Sequence, residues 1–230
     1  MPPSRCPDTR PGMRPRAHNI VSYTVAALVF AGVALARGEQ LGASVFVAPP
    51  AALLSAGMWC FHFVRRSLES ALVHRYTKPT VPIGDVVTEY LYYWGFAAWN
   101  AACLFSPSYS APAPLQAGLG VLVFLLSELG NAKAHRMLRE LRAEGSRERK
   151  IPRGFLFEWV SCPHYLCEIG SWVGFALVTP TWAALSFLVL GAGILTAWAR
   201  TRHRAYRDDF PTEEQEAYPA QRRALLPFIF

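Results

Sequence analysis

Between Arg149 and Phe175 the chain reads RKIPRGFLFEWVSCPHYLCEIGSWVGF, which sets His164, Tyr165 and Glu168 inside an otherwise apolar stretch just beyond a basic loop. Polar and ionisable groups at membrane depth are costly and mark functional positions. A helix starting near Pro163 would carry Tyr165, Glu168 and Trp172 at i, i+3 and i+7, so a phenol, a carboxylate and an indole would share one face. Such a face is a candidate site.

A second polar group lies just upstream, in ELGNAKAHRMLRELRAEGSRERK, where Asn131, His135, Arg139 and Arg142 recur at spacings of four, four and three. On a helix they form one edge. A guanidinium fork and an amide on that edge suit a phosphate or diphosphate, which accepts bidentate hydrogen bonds. A solvated helix at the membrane surface would carry the same residues, so both readings stand at this point. Two further basic clusters follow other apolar runs. In CFHFVRRSLESALVHRY, Arg65 and Glu69 have the i, i+4 spacing of an intrahelical pair, worth only a few tenths of a kcal/mol on an exposed helix, and His62 and His74 read as structural residues at the interface. In ARTRHRAYRDDF, His203 and Tyr206 stand one turn apart.

The elements that must position these residues are membrane helices. The 230 residues are 52% hydrophobic, 13% aromatic and only 17% charged, too few charges for an ordinary soluble domain. Apolar runs at 20–36 and 182–199 approach the roughly 20 residues that cross a hydrocarbon core, and less pure runs lie at 41–62, 86–105, 115–132 and 155–179. Six spans, or seven, are expected. With six, one side collects residues 1–17, 64–83, 133–154 and 200–230, which hold 22 of the 23 Lys and Arg, and leaves Arg37 alone at the other edge. Cytoplasmic loops collect such charge, so both termini are expected in the cytoplasm and the uncharged SPSYSAPAP loop at 106–114 opposite. The net charge of +7 then follows from topology and needs no nucleic acid, although the basic face could attract anionic lipid or a phosphate-bearing cofactor.

Residues 1–17, with five Pro and four Arg, read as a disordered tail ahead of a retained anchor, and 18–230 as one membrane domain. Five scattered cysteines imply no disulfide framework. Cys162, His164 and Cys167 lack the fourth ligand and paired spacing of a closed zinc site, so no metal is expected. No G-x-G-x-x-G, P-loop, G-x-S-x-G or H-E-x-x-H occurs, and the pairs Gly118/Gly120 and Gly191/Gly193 read as points of close helix packing.

Seven segments in order resemble the very-long-chain enoyl-CoA reductases of the endoplasmic reticulum, within the steroid 5α-reductase family of membrane enzymes. They are MWCFHFVRRSLESALVHRYTKPTVP, YYWGFAAW, ELGN…LRELR, RKIP, VSCPHYLCEIGSWVGFALVT, AWARTRHRAY and LPFIF, and they run from residue 58 to 230. The resemblance implies an all-α membrane bundle that encloses NADPH from the cytoplasmic side. It places the proton-donating tyrosine at Tyr165 and a catalytic basic residue, usually Lys, at Arg65. For the cofactor it implies Asn131, His135, Arg142, His164, Glu168 and Tyr206.

The implied reaction is NADPH-dependent reduction of the 2,3 double bond of a long-chain trans-2-enoyl-CoA in fatty-acid elongation, in the endoplasmic reticulum membrane, with other elongation enzymes as partners. A steroid enone or polyprenol is the alternative substrate, and a membrane lipid carrier the alternative of another class. Three features depart from the enoyl-CoA branch. A short Arg/Pro tail stands where many members have a ubiquitin-like region, IPRGFLFEWVS is closer to the steroid and polyprenol branches, and His62-Phe63 replaces a common His-Tyr pair.

Overall fold

The computed structural model describes residues 11–40, 49–76, 78–141, 150–211, 217–227 and 229. Six long helices account for most of them: α1 (Pro15–Gln40), α2 (Pro50–Leu72), α3 (Ile83–Leu104), α4 (Pro114–Glu140), α5 (Pro163–Val178) and α6 (Trp182–Asp209). Proline begins α1, α2, α4 and α5, where its missing N–H would be unsatisfied anyway and its fixed φ suits the first turn. Thr181 caps α6 by accepting from the Ala184 N–H at 3.2 Å.

Each of the six apolar runs thus holds a helix, and α1, α4 and α6 are the three that are long and apolar enough to cross a membrane. The other three miss that standard for visible reasons. Helix α2 carries Arg65, Arg66 and Glu69 in its second half, α3 opens with Asp85 and Glu89, and α5 has only 16 residues. At about 1.5 Å per residue, the 27 residues of α4 reach about 40 Å, beyond a hydrocarbon core of about 30 Å. The overhang is the basic end, which explains how His135 and Arg139 continue one rigid element.

Of the stretch expected as a tail, residues 1–10 lie outside the described residues, residues 12–13 form strand β1, paired antiparallel with β2 at 81–82, and α1 starts at Pro15. The expected span at 155–179 also divides. Gly154 (φ +83°) and Phe155 (φ +51°) turn the backbone through the left-handed region, a 3-10 turn covers Phe155–Glu158, and α5 begins only at Pro163.

Helices α4 and α5 lie so close that a Cβ on Gly120 would come 2.8 Å from the Gly174 carbonyl oxygen, and one on Gly174 would come 2.5 Å from the Phe124 nitrogen. Close packing thus holds at Gly120. Gly118 and Gly193 have open space, and Gly191 meets only the Tyr92 hydroxyl, at 3.1 Å. An aromatic core fills the bundle where α1, α2, α3, α5 and α6 meet, with Trp59 fully buried among Phe30, Phe63, Trp172, Phe175 and Phe187. The segment 217–225 returns over the start of α5: Ser161 N–H donates to the Arg223 carbonyl at 2.8 Å, and Arg223 N–H to the Trp159 carbonyl at 3.0 Å.

Candidate active site

Below the aromatic core, α2, α4 and α5 bring their charged residues into one buried cluster. Arg65 Nε donates to Glu128 Oε2 at 2.5 Å, its Nη1 to Glu69 Oε1 at 2.6 Å and its Nη2 to Asn131 Oδ1 at 3.1 Å. Arg66 donates to Glu69 at 2.7 Å and lies 3.9 Å from Glu168. Asn131 Nδ2 donates to the His164 carbonyl at 2.8 Å and to Glu168 Oε2 at 3.1 Å. The Arg65–Glu69 pair is therefore no exposed helix pair. Its side chains are 14% and 9% exposed, so each charge depends on its partner much more than at a surface.

Beside this cluster, at the basic end, lies a cavity of about 280 Å³. His135, His164, Tyr165 and Tyr206 line it, as do Arg66, His74 and Arg202. The sequence thus placed four of its candidates in one cavity, and Asn131 and Glu168 in the adjoining hydrogen-bond network. Arg142 lies outside the described residues. The expected common face of Tyr165, Glu168 and Trp172 fans out instead: Tyr165 turns to Trp198 and Arg202 of α6, Glu168 to α2 and α4, and Trp172 to Trp59 and His62. Three successive turns of α5 meet different neighbours because α2 and α6 flank it.

Arg65, expected as a catalytic basic residue, has its donors taken by Glu128, Glu69 and Asn131. Arg202 is the cation at Tyr165, with its guanidinium carbon 5.4 Å from the ring centroid. His62 and His74 are also more than structural residues at an interface. His62 touches two buried carboxylates, and His74 lines the cavity. Burial, reinforced by Arg66 and Arg65, pushes the His74 imidazole down to about 3, so it is neutral at ordinary pH.

Glu69, His74 and His135 bring potential metal ligands within 4.8 Å of one another. Arg66 Nη1 bridges Glu69 Oε2 and His135 Nε2, at 2.7 and 3.0 Å, and so puts a guanidinium into that group. Cys162 and Cys167 are buried free thiols, Cys162 packed with Ala199, Ala224 and Leu225, and Cys167 against Gly130.

The far wall is braced by the returning segment. Ser161 Oγ lies 2.6 Å from His203 Nδ1 and 2.7 Å from the Tyr218 hydroxyl, and the Tyr218 ring stacks on Tyr206 at 5.3 Å. Burial raises the Tyr218 phenol above its usual range, so it remains a neutral partner there. Nothing in the spacing of Ser161, His203 and Tyr218 advertised this hub, because a return of the chain over 57 residues leaves no periodic trace.

An anionic cofactor fits the lining. Arg66, Arg75, Arg139 and Arg202 border the cavity, and His164 Nδ1 and His74 Nε2 are buried without a hydrogen-bond partner among the described residues. The volume lies just under the usual range for ligand sites, about 300–1,000 Å³, which suits a phosphate-bearing part of a larger molecule.

These features define a helical membrane protein with a buried ionic cluster opening on a basic cavity. Comparison with known proteins places it more closely. Residues 79–230 match the family described as 3-oxo-5-alpha-steroid 4-dehydrogenase, and the chain belongs to that family. It is 37% identical over 188 residues to a probable very-long-chain enoyl-CoA reductase of Caenorhabditis elegans, covering 78% of this chain and 59% of the relative. It is 39% identical over 171 residues to a very-long-chain enoyl-CoA reductase of Dictyostelium discoideum, covering 74% and 56%. A steroid 5-alpha-reductase of Solanum lycopersicum is 34% identical over 191 residues, covering 79% and 70%. The chain thus spans little more than half the length of the two enoyl-CoA reductases.

Proposed function

We propose that this protein is a membrane oxidoreductase that reduces the 2,3 double bond of a long-chain trans-2-enoyl-CoA with NADPH, in fatty-acid elongation at the endoplasmic reticulum. The observation that carries the reading is the meeting of Tyr165 and its cation Arg202 with a basic cavity lined by His135, His164 and Tyr206. Likeness to two enoyl-CoA reductases supports the substrate.

NADPH, when bound, supplies the hydride for C3 of the enoyl group. Charge then develops on the thioester oxygen, and a preorganised donor lowers its cost. The Tyr165 hydroxyl is that donor in this reading, and it delivers the proton needed at C2. Arg202 supports this role, since a guanidinium at the ring makes a phenolate less costly. Arg65 instead holds Asn131 in place, which accepts from Arg65 and donates to the His164 carbonyl one residue before the tyrosine. His135, His164, Tyr206 and, by its spacing, Arg142 would hold the cofactor's anionic part, with Asn131 and Glu168 ordering the wall behind them.

In the membrane we assign six spans with both termini in the cytoplasm, supported by 22 of 23 Lys and Arg falling on one side. A tag inserted at 106–114 should be protected from a cytoplasmic reagent that reaches both termini; the opposite pattern inverts the topology. Turnover of purified protein with NADPH on a panel of enoyl-CoA, steroid enone and polyprenol tests the chemistry. Fastest reduction of the enoyl-CoA is expected. The fuller coverage of the tomato steroid 5-alpha-reductase, 70% of its length, favours a steroid enone as the second reading. No nicotinamide binding and no turnover on any of the three would leave a lipid carrier.

A further inference from the structure

In the middle of the ionic cluster one imidazole stands between two carboxylates. His62 Nδ1 lies 2.7 Å from Glu128 Oε1, and His62 Nε2 lies 3.1 Å from Glu168 Oε1. His62 and Glu128 are 2% and 3% exposed and Glu168 is 14% exposed, so the partners of both imidazole nitrogens come from the protein. An ionised carboxylate only accepts, and a neutral imidazole has one N–H. Both contacts are hydrogen bonds only if the triad carries one proton more than a neutral His62 and two carboxylates would hold.

The charge count demands the same proton. Glu69, Glu128 and Glu168 carry three negative charges, and Arg65 and Arg66, which pair with all three, carry two positive ones. With neutral His62 the buried cluster keeps a net charge of minus one; with imidazolium it is neutral. An uncompensated buried charge is far costlier than a paired one. The other groups around it do not supply the difference. His135 on α4 receives a bond from Arg66, which can only donate, so its Nε2 carries no proton and the ring is neutral. On α1 and α3 the neighbours are the phenols Tyr23 and Tyr93, both against Phe63, while Glu89 is taken by His18 and Ser22. Helix α6 presents Phe187, against Trp172.

We infer that His62 is a resident imidazolium whose charge neutralises the buried cluster and thereby positions the start of α5. It acts through Glu168, which accepts from Asn131, which in turn holds the His164 carbonyl beside Tyr165. His62 is thus a positioning residue. Only the consequence at Tyr165 rests on the reductase reading; the proton on His62 does not.

The test begins with histidine-labelled protein in nanodiscs, by nitrogen NMR at pH 8, well above the ordinary histidine pKa of about 6.5. One doubly protonated imidazole is expected, absent in His62→Gln. In Glu128→Gln the remaining charges balance without it, so His62 should appear as a neutral ring at the same pH. The second arm compares His62→Gln, which leaves the cluster at minus one, with His62→Gln/Glu128→Gln, which restores neutrality. The double variant should melt higher than the single one and recover about tenfold in NADPH-dependent turnover, a gain of about 1.4 kcal/mol. A singly protonated His62 at pH 8, or a double variant that melts no higher than the single, overturns the inference. Wild-type protein that shows the imidazolium but reduces nothing would overturn the reductase reading instead.

Discussion

Helix α2 carries two unlike regions one turn apart. Trp59 and Phe63 enter an aromatic core held by close van der Waals packing, whereas His62, Arg65, Arg66 and Glu69 enter an ionic cluster that is tolerable only because its charges cancel. Helix α5 repeats the division, with Phe175 in the first region and Glu168 in the second. The two regions touch where the His62 and Trp172 rings lie 4.5 Å apart. The contrast shows how little a substitution's burial says about its repair: a cavity in the aromatic core can only be refilled, but a charge can be balanced by removing another.

The sharpest break of that comparison is in stability. Trp59→Ala should cost about 3–5 kcal/mol, the range for a large aromatic truncated in a core. Arg65→Met should cost a similar amount, about 3–5 kcal/mol, by leaving Glu128 without its guanidinium and the cluster at minus one. Adding Glu128→Gln should then return most of the second loss and none of the first, as measured by denaturation in the same detergent. Failure of the added substitution to help would mean the cluster is held by shape more than by charge balance.

Next in size is Tyr165→Phe, which removes one hydroxyl and leaves the ring beside Trp198. Turnover should fall about a hundred- to a thousandfold, chiefly in kcat, with the melting temperature nearly unchanged. Near-normal turnover would return Tyr165 to the role of an ordinary interfacial tyrosine.

Arg202→Gln sharpens the contrast between the two arginine positions. Loss of a charge-assisted contact worth about 1.5–3 kcal/mol should slow turnover ten- to a hundredfold without unfolding the protein, whereas Arg65→Gln should act mainly on stability. Equal effects of the two on melting would erase the distinction drawn here.

At neutral pH the smallest effect concerns His74, whose imidazole is pushed down to about 3 when folded. The unfolded chain binds this proton near pH 6.5, so between 6.5 and 3 the unfolded state holds more protons and stability falls as pH falls. His74→Gln should flatten the dependence of the melting temperature on pH in that window. An unchanged slope would assign the acid sensitivity to other groups.

Much of this was legible in the sequence. Apolar runs located the six long helices among the described residues, and Pro163 marked the start of α5. His135, His164, Tyr165 and Tyr206 were grouped by the family resemblance, and the basic ends of α4, α5 and α6 bring them to one cavity. What escaped was which neighbour each side chain would meet. Arg65 and Arg202 are both basic residues near one end of a span, and only the packing of α2 against α4 and of α6 against α5 decides that Arg65 meets Glu128 and Arg202 meets Tyr165. The pairing of His62 with Glu128 escaped for the same reason: a histidine and a glutamate 66 residues apart have no common period.

The bracing of residues 159–161 by Arg223 bears on how the protein is made. The stretch that leans on Ser161 and Tyr206 follows α6 in the chain, so it can seat only after α5 and α6 have both been made. A chain cut before residue 217 would keep α1 to α6 and lose the contacts that Tyr218 and Arg223 make with Ser161 and Tyr206, so the helices and the finished cavity wall could be told apart.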